Sequence, residues 1–448
     1  MTHRRSWRGS SKQILVPVPG DFAEWHTANV AERDVQGFVR RLVEAAHGSR
    51  LTITDCNPHI YHMGRCHDAP VEDLTRSCYN ELEARDKAPP QLLVVILAGK
   101  PSPFYPGVKR SEEALGIPCQ AILLKNVLRP DAKVCTNLCL KLKMMLNSEN
   151  AVLRDRLPLV DTAPTITIGA DVAHPRSGVG SQPFLTAVVA SLDLHSIKYE
   201  TRVAAQETAS GIQQLSFMLR DLFLSFSRST KRKPERVVYF RSGVSEDQYS
   251  EILEAEMRAL REAFELVAEG YNPPVTFIFV NKCHNLRAFP ANPCDAVRNG
   301  NVMPGTVIDS GIVETHQMQF YLYGHRGIQG TSVPHKYTVR HNENRISAEE
   351  VQRLTFYLGY TSTRYTRSVS VVPPVYFAQL AAARARSSQH QGSDGVFTVG
   401  SFDPSSPNFE FTELHEGAKD CIFLFSCVRC WIPGVQELQR SATGGAEV

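Results

Sequence analysis

In the stretch TITIGADVAHP (residues 165–175) a β-branched alternation runs straight into a carboxylate, Asp171. Such an alternation makes a strand, and a carboxylate near a strand end is placed to hold a divalent ion for hydrolysis. A two-metal site keeps its ions roughly 3.5–4 Å apart and needs several carboxylates to do so, so Asp171 requires partners. A second chemistry is open to the basic groups Lys231 to Arg236 (KRKPER), Arg364 with Arg367 (STRYTRSVS) and Arg384 with Arg386 (ARAR), which are suited to phosphate. His59, His62, Cys66 and His67 could be taken for a zinc site, but their spacing fits no familiar ligand pattern. Cys427 and Cys430 have CxxC spacing without a second pair, and His174 suits packing or hydrogen bonding better than ligation.

The elements that must position these residues follow an α/β rhythm. Residues 34–46 have apolar side chains at helical spacing, and PQLLVVILAGK (residues 90–100) is a short, continuous apolar strand ending in Gly-Lys. A helix and strand follow over VKRSEEALGIPCQAILLKN, then a helix over residues 131–147. This first region reads as a small parallel-sheet unit whose ligands sit at the strand ends. Residues 148–165, with two prolines and little periodicity, read as a linker. Three strands come next (TITIGADV, FLTAVVASLDL, KYETRVAAQ). A helix then places Ile212, Leu215, Leu219, Leu222 and Phe226 on one face, and RVVYFRSGVSEDQ supplies a fourth strand. Strand, strand, strand, helix, strand, with an Asp on the first strand, is the order of a ribonuclease-H-like domain.

Size and composition set the bounds. The 448 residues, 42% hydrophobic and 21% charged, suffice for two or three domains with proper cores. A net charge of only +3 means that any affinity for nucleic acid rests on local clusters. Eleven scattered cysteines fit a reducing compartment, and there is neither a secretory h-region nor an apolar run of about 20 residues that would span a bilayer. A cytoplasmic location, possible for the nucleus as well, is expected, with no membrane association.

The run TIGADVAHP, followed by STKRKPERVVYFRSGVSEDQY, GIQGTSVPHKYTV and YTRSVSVVPPVYFAQLAAARAR, resembles the PIWI domain of eukaryotic Argonaute proteins. Upstream, LLVVILAGK, YPGVKR, LGIPCQAILLKN and TNLCLKLK are similar to the MID domain of that family, and no room is left before Val16 for its N and PAZ domains. The resemblance implies a Rossmann-like MID domain (33–150) after an N-terminal linker (1–32), a ribonuclease-H-like PIWI domain (151–425), and a C-terminal extension (426–448). It implies a small guide RNA held by its 5' phosphate and paired with target RNA, in a monomer that works with silencing-complex proteins. Tyr105, Lys109, Gln120 and Lys141 match the MID residues that hold the phosphate, and Arg364, Ser370, Tyr376 and Arg384 match those of PIWI. The family's third lysine falls on Met145; Lys143 lies about 200° round the helix from Lys141.

The family's slicing site is an Asp on the first strand, a Glu from a loop, an Asp at the end of the fourth strand and a late His. Asp171 fills the first place, while Ser210, Ser242 and Gln379 fall on the others. The nearest stand-ins are Glu207 for the Glu and Glu246 or Asp247 for the strand Asp. The expectation is therefore guide binding without cleavage. No cofactor is required, and magnesium is expected at most at the guide phosphate or weakly at Asp171. Two rival readings are a metal-dependent RNA endonuclease with displaced carboxylates, and a degenerate paralogue that acts as a scaffold.

Overall fold

A computed structural model describes residues 14–18, 31–49, 71–86, 104–146, 183–208, 211–314 and 428–430, with most of 90–99, 153–175 and 316–386 and parts of 51–60. The chain divides into two compact units at residues 150/151, apart from short segments further on.

The first unit is a parallel sheet in the order β2-β1-β3-β4. Its strands are β1 (Ile14–Val18), β2 (His59–Ile60), β3 (Leu93–Leu97) and β4 (Cys119–Leu123), and its helices α1 (Glu32–Gly48), α2 (Val71–Asp86), α3 (Phe104–Leu115), α4 (Leu124–Leu128) and α5 (Ala132–Met145). Every residue of β3 is buried because helices cover both faces. Val94 and Ile96 pack with α1 and α5, whereas Leu93, Val95 and Leu97 pack with α2 and α3. Each such side chain contributes about 1.5–3 kcal/mol on burial. Asp131 starts α5 by accepting a hydrogen bond from the Lys133 backbone N–H at 2.9 Å. The arrangement is Rossmann-like. One expectation is corrected: residues 14–18, read as linker, form β1, which pairs with β3 along its whole length. Pro17 is tolerated there because β2 reaches only Ile14 and Leu15, so beyond them β1 is an edge among the described residues.

The second unit is a sheet in the order β10-β11-β12-β9-β8-β5-β6-β7-β13. It comprises β5 (Thr165–Ala173), β6 (Phe184–Ser191), β7 (Tyr199–Gln206), α6 (Leu215–Thr230), β8 (Arg236–Ser242), α7 (Tyr249–Val267), β9 (Val275–Asn281), β10 (Val307–Ile308), β11 (Met318–Leu322), β12 (His335–Asn342), α8 (Ala348–Leu358), α9 (Pro373–Ala385) and β13 (Val428–Cys430). Strands β5, β6 and β7 form an antiparallel meander, and β8 returns through α6 to lie parallel to β5. This is the ribonuclease-H-like core that the residue order predicts. Residues 157 and 160, expected in a linker, are instead buried among β8, β9 and α8. Prolines stop regular structure but not burial. Val428–Cys430 of the C-terminal extension pairs in parallel with β7.

Strand parity decides what each face of β5 meets. Ile166, Ile168, Ala170 and Val172 pack against α6 and α7. Gly169 faces the other way, beneath α9. A Cβ at Gly169 would overlap the backbone carbonyl of Pro374 and lie 2.5 Å from the Val375 nitrogen. Backbone cannot yield as a flexible side chain would, so Gly169→Ala is expected to destabilise the second unit by about 3 kcal/mol, measured by chemical denaturation. A loss below about 0.5 kcal/mol would show that α9 shifts freely on the sheet.

Candidate functional site

Register places the central pair. The β5/β8 ladder aligns Ala170 with Arg241, so the next residues, Asp171 and Ser242, stand side by side on the face of the sheet that α9 covers. The Ser242 hydroxyl donates to Asp171 Oδ1. Both side chains are buried. Gly243 turns the chain away at φ +75°, and a Cβ there would come within 3.2 Å of the same carboxylate oxygen.

On the opposite face of β8, Arg241 is fully buried. Its Nε donates to Glu256 Oε1 at 2.7 Å, its Nη1 donates to the Ser242 carbonyl, and the Tyr239 hydroxyl donates to Glu256 Oε2 at 3.0 Å. Burial pushes the Asp171 carboxyl above its ordinary value, and the Ser242 hydrogen bond and the charges of Arg241 and His174 pull it back only in part.

Among the described residues, the other expected members do not complete a metal site. Ser210 lies outside the described residues, as do His62, Cys66, His67 and Cys427. Gln379 is on α9 with its side chain exposed. Glu207 is exposed just past β7, and Glu246 bonds to Lys336 Nζ at 2.8 Å. His174 is exposed, stacks edge-on to Phe184 and accepts from Arg386 Nη2 through its carbonyl, which fits packing rather than ligation. One buried carboxylate, a hydroxyl already committed to it and an exposed amide do not fit a pair of hard divalent ions, which take charged oxygens. Among the described residues, no group of three or more His, Cys, Asp or Glu side chains could hold a metal ion.

Three of the four phosphate candidates of the first unit lie on α3 and β4. Tyr105 is 44% exposed, and Lys109 Nζ lies 6.0 Å from its ring centroid. Lys109 donates to the carbonyl of Cys119, the residue before Gln120. Gln120 is half-buried, its Nε2 donating to the Ala121 carbonyl. Lys141 is half-buried on α5. Lys143 is buried and donates to the Ser49 carbonyl at 3.1 Å, so it is tied into the fold, and Met145 is packed in the core with α1. Arg364 is half-buried and belongs to a short segment that groups with the first unit; in the second unit Ser370 is half-buried before α9, while Tyr376 and the buried Arg384 belong to α9 itself.

Residues 92–390 match the family model of the Piwi domain. The chain belongs to the Argonaute family. Argonaute 12 of Oryza sativa subsp. japonica is 34% identical over 91% of this chain and 42% of its own length. Argonaute MEL1 of the same organism is 39% identical over 82% of this chain and 37% of its own. The chain therefore spans less than half the length of these Argonaute relatives. Among solved structures, a Kluyveromyces polysporus Argonaute with a guide RNA superposes with a TM-score of 0.70 at 21% identity, over 84% of this chain and 46% of that one. The shared Argonaute fold accounts for the order of β5, β6, β7, α6 and β8.

Sequence reading missed two groups: the Arg241–Glu256 pair beneath the site, and Glu112, which takes up Lys109. Only the second had a local signal, an acid three residues after a lysine on one helix.

Because folding raises the Asp171 pKa, the unfolded chain ionises first as pH rises from about 4, and stability falls as pH passes through the raised value. Asp171→Asn, which still accepts from Ser242, removes that penalty. It is expected to gain stability over the native chain at pH 7 and to lose most of that gain near pH 4, as read by parallel denaturation curves. A gain independent of pH would show that Asp171 does not titrate between those limits.

Proposed function

We propose that the chain binds a small guide RNA, pairs it with a complementary target RNA and does not cleave that target. The observation that carries this reading is the pairing of Asp171 with Ser242. Where a slicing site needs a second strand carboxylate, this chain has a neutral hydroxyl that donates to the first. Removing members of a catalytic unit commonly costs on the order of 10⁴- to 10⁶-fold in rate. Silencing would then proceed through other proteins recruited to the paired RNA.

Guide binding is supported by residue chemistry. The 5' end of a guide presents a charged phosphate beside an unstacked base, and the first unit offers an exposed aromatic ring at Tyr105 with an amide at Gln120 and an ammonium at Lys141. Arg364, Ser370, Tyr376 and Arg384 supply cationic and hydroxyl donors of the kind that hold the following phosphates. The guide RNA in the Kluyveromyces polysporus structure makes RNA the first ligand to test.

The test pairs binding with cleavage. Purified protein is expected to bind single-stranded RNA, with Lys141→Ala weakening the complex about ten-fold, the effect of one charge-assisted hydrogen bond. Loaded with guide and given complementary RNA with magnesium or manganese, it is expected to retain the target uncut. Metal-dependent cleavage that disappears in Asp171→Ala would establish the endonuclease reading instead. Failure to bind RNA would leave a scaffold.

A further inference from the structure

Both cations at the centre of α3 are already matched by carboxylates of their own chain. Lys109 Nζ is 2.6 Å from Glu112 Oε2 and 2.7 Å from the Cys119 carbonyl, and the two side chains are only 11% and 3% exposed. The other oxygen of Glu112 accepts from the Cys119 backbone N–H at 3.2 Å, so this carboxylate ties α3 to β4 as well as neutralising the lysine. Next to them, Arg110 bonds to Glu72 Oε1 through Nε at 2.6 Å and Nη2 at 2.5 Å.

A phosphate and a carboxylate compete for the same donors. Glu112 Oε2 fills one of the three N–H directions of the Lys109 ammonium, at a distance typical of a charge-assisted hydrogen bond, and the Cys119 carbonyl fills a second. For a terminal phosphate to take that place, Glu112 must give up its partner inside the fold, and a buried carboxylate without a counter-charge is costly. Tyr105 is under no such restraint. Its ring is exposed one helical turn earlier, so a terminal base can stack there whatever the state of Lys109.

We propose that Glu112 sets the 5'-end selectivity of this chain: as an internal counter-ion for Lys109, it lowers the advantage of a 5' phosphate over a 5' hydroxyl on a bound RNA. This rests on the guide-binding reading above. The carboxylate holds the lysine in a neutral pair, so stacking and Lys141 carry recognition of the terminus. RNAs lacking a 5' phosphate are then accepted nearly as well as those bearing one.

The experiment measures, on the full chain, the dissociation constants of one short single-stranded RNA with a 5' phosphate and with a 5' hydroxyl. Glu112→Gln keeps the shape and the bond from Cys119 but removes the charge. It is expected to raise the preference for phosphate about ten-fold and to leave hydroxyl-ended RNA within about two-fold. Adding Lys109→Met to Glu112→Gln is expected to erase that gain. Loosening of α3 alone would move both RNAs together and leave their ratio unchanged. An unchanged ratio in a variant that still binds RNA overturns the role of Glu112 and leaves guide binding standing; no binding of either RNA by any variant overturns both. Should Glu112→Gln fail to fold, Glu112→Asp, which withdraws the carboxylate by one methylene, is read in the same way. A smaller rise is expected, and no rise overturns the proposal.

Discussion

The parallel register between β5 and β8 is the constraint on which the second unit depends. Once Ala170 pairs with Arg241, strand parity sends Asp171 and Ser242 to one face and Arg241 to the other. A slip of β8 by one residue would turn its faces over, bringing the Arg241 guanidinium under α9 and taking the Ser242 hydroxyl away from Asp171. The same parity puts Gly169 where α9 crosses, and α9 in turn carries Tyr376 and Arg384. Apolar burial fixes the register, and the register fixes the polar groups.

Charge inside this unit is matched locally. Arg241 meets Glu256, and Arg202, 2% exposed, bonds to Glu200 at 2.7 Å with Asp221 at 3.5 Å. A buried ion pair adds little net stability, but breaking one exposes the full desolvation cost of the charge left behind. Asp171 differs from these pairs. Its direct partner is a hydroxyl, and its charge is offset only by groups that do not bond to it, which is why burial dominates its ionisation. A carboxylate in that position is tolerated by the fold rather than required by it.

Much of this was legible in the chain. The alternation of residues 165–172, the fully apolar run of β3 and the face of α6 announce themselves by periodicity, and the structure places them as read. Asp171 and Ser242 were legible too, because they stand at the ends of adjacent strands, and they do meet. What escaped depends on contacts between distant segments. Strand β1 escaped because ILVPV contains a proline and gains its partners only from residues 93–97. Leu157 and Val160 looked like linker because nothing local reports burial. The engagement of Lys109 escaped for a different reason. The i,i+3 acid was visible, but that it lies inside the fold, bonded also to Cys119, follows only from the packing of α3 on β4.

The hydroxyl of Ser242 also keeps a second charge away from Asp171. A carboxylate at that position would stand against Asp171 in a space that excludes water, and two such groups cannot both ionise unless a cation joins them. A chain carrying that single exchange would fold well only by keeping a proton between the two acids or by capturing an ion. The Ser242 hydroxyl spares the fold that choice, because it donates to Asp171 and brings no charge of its own.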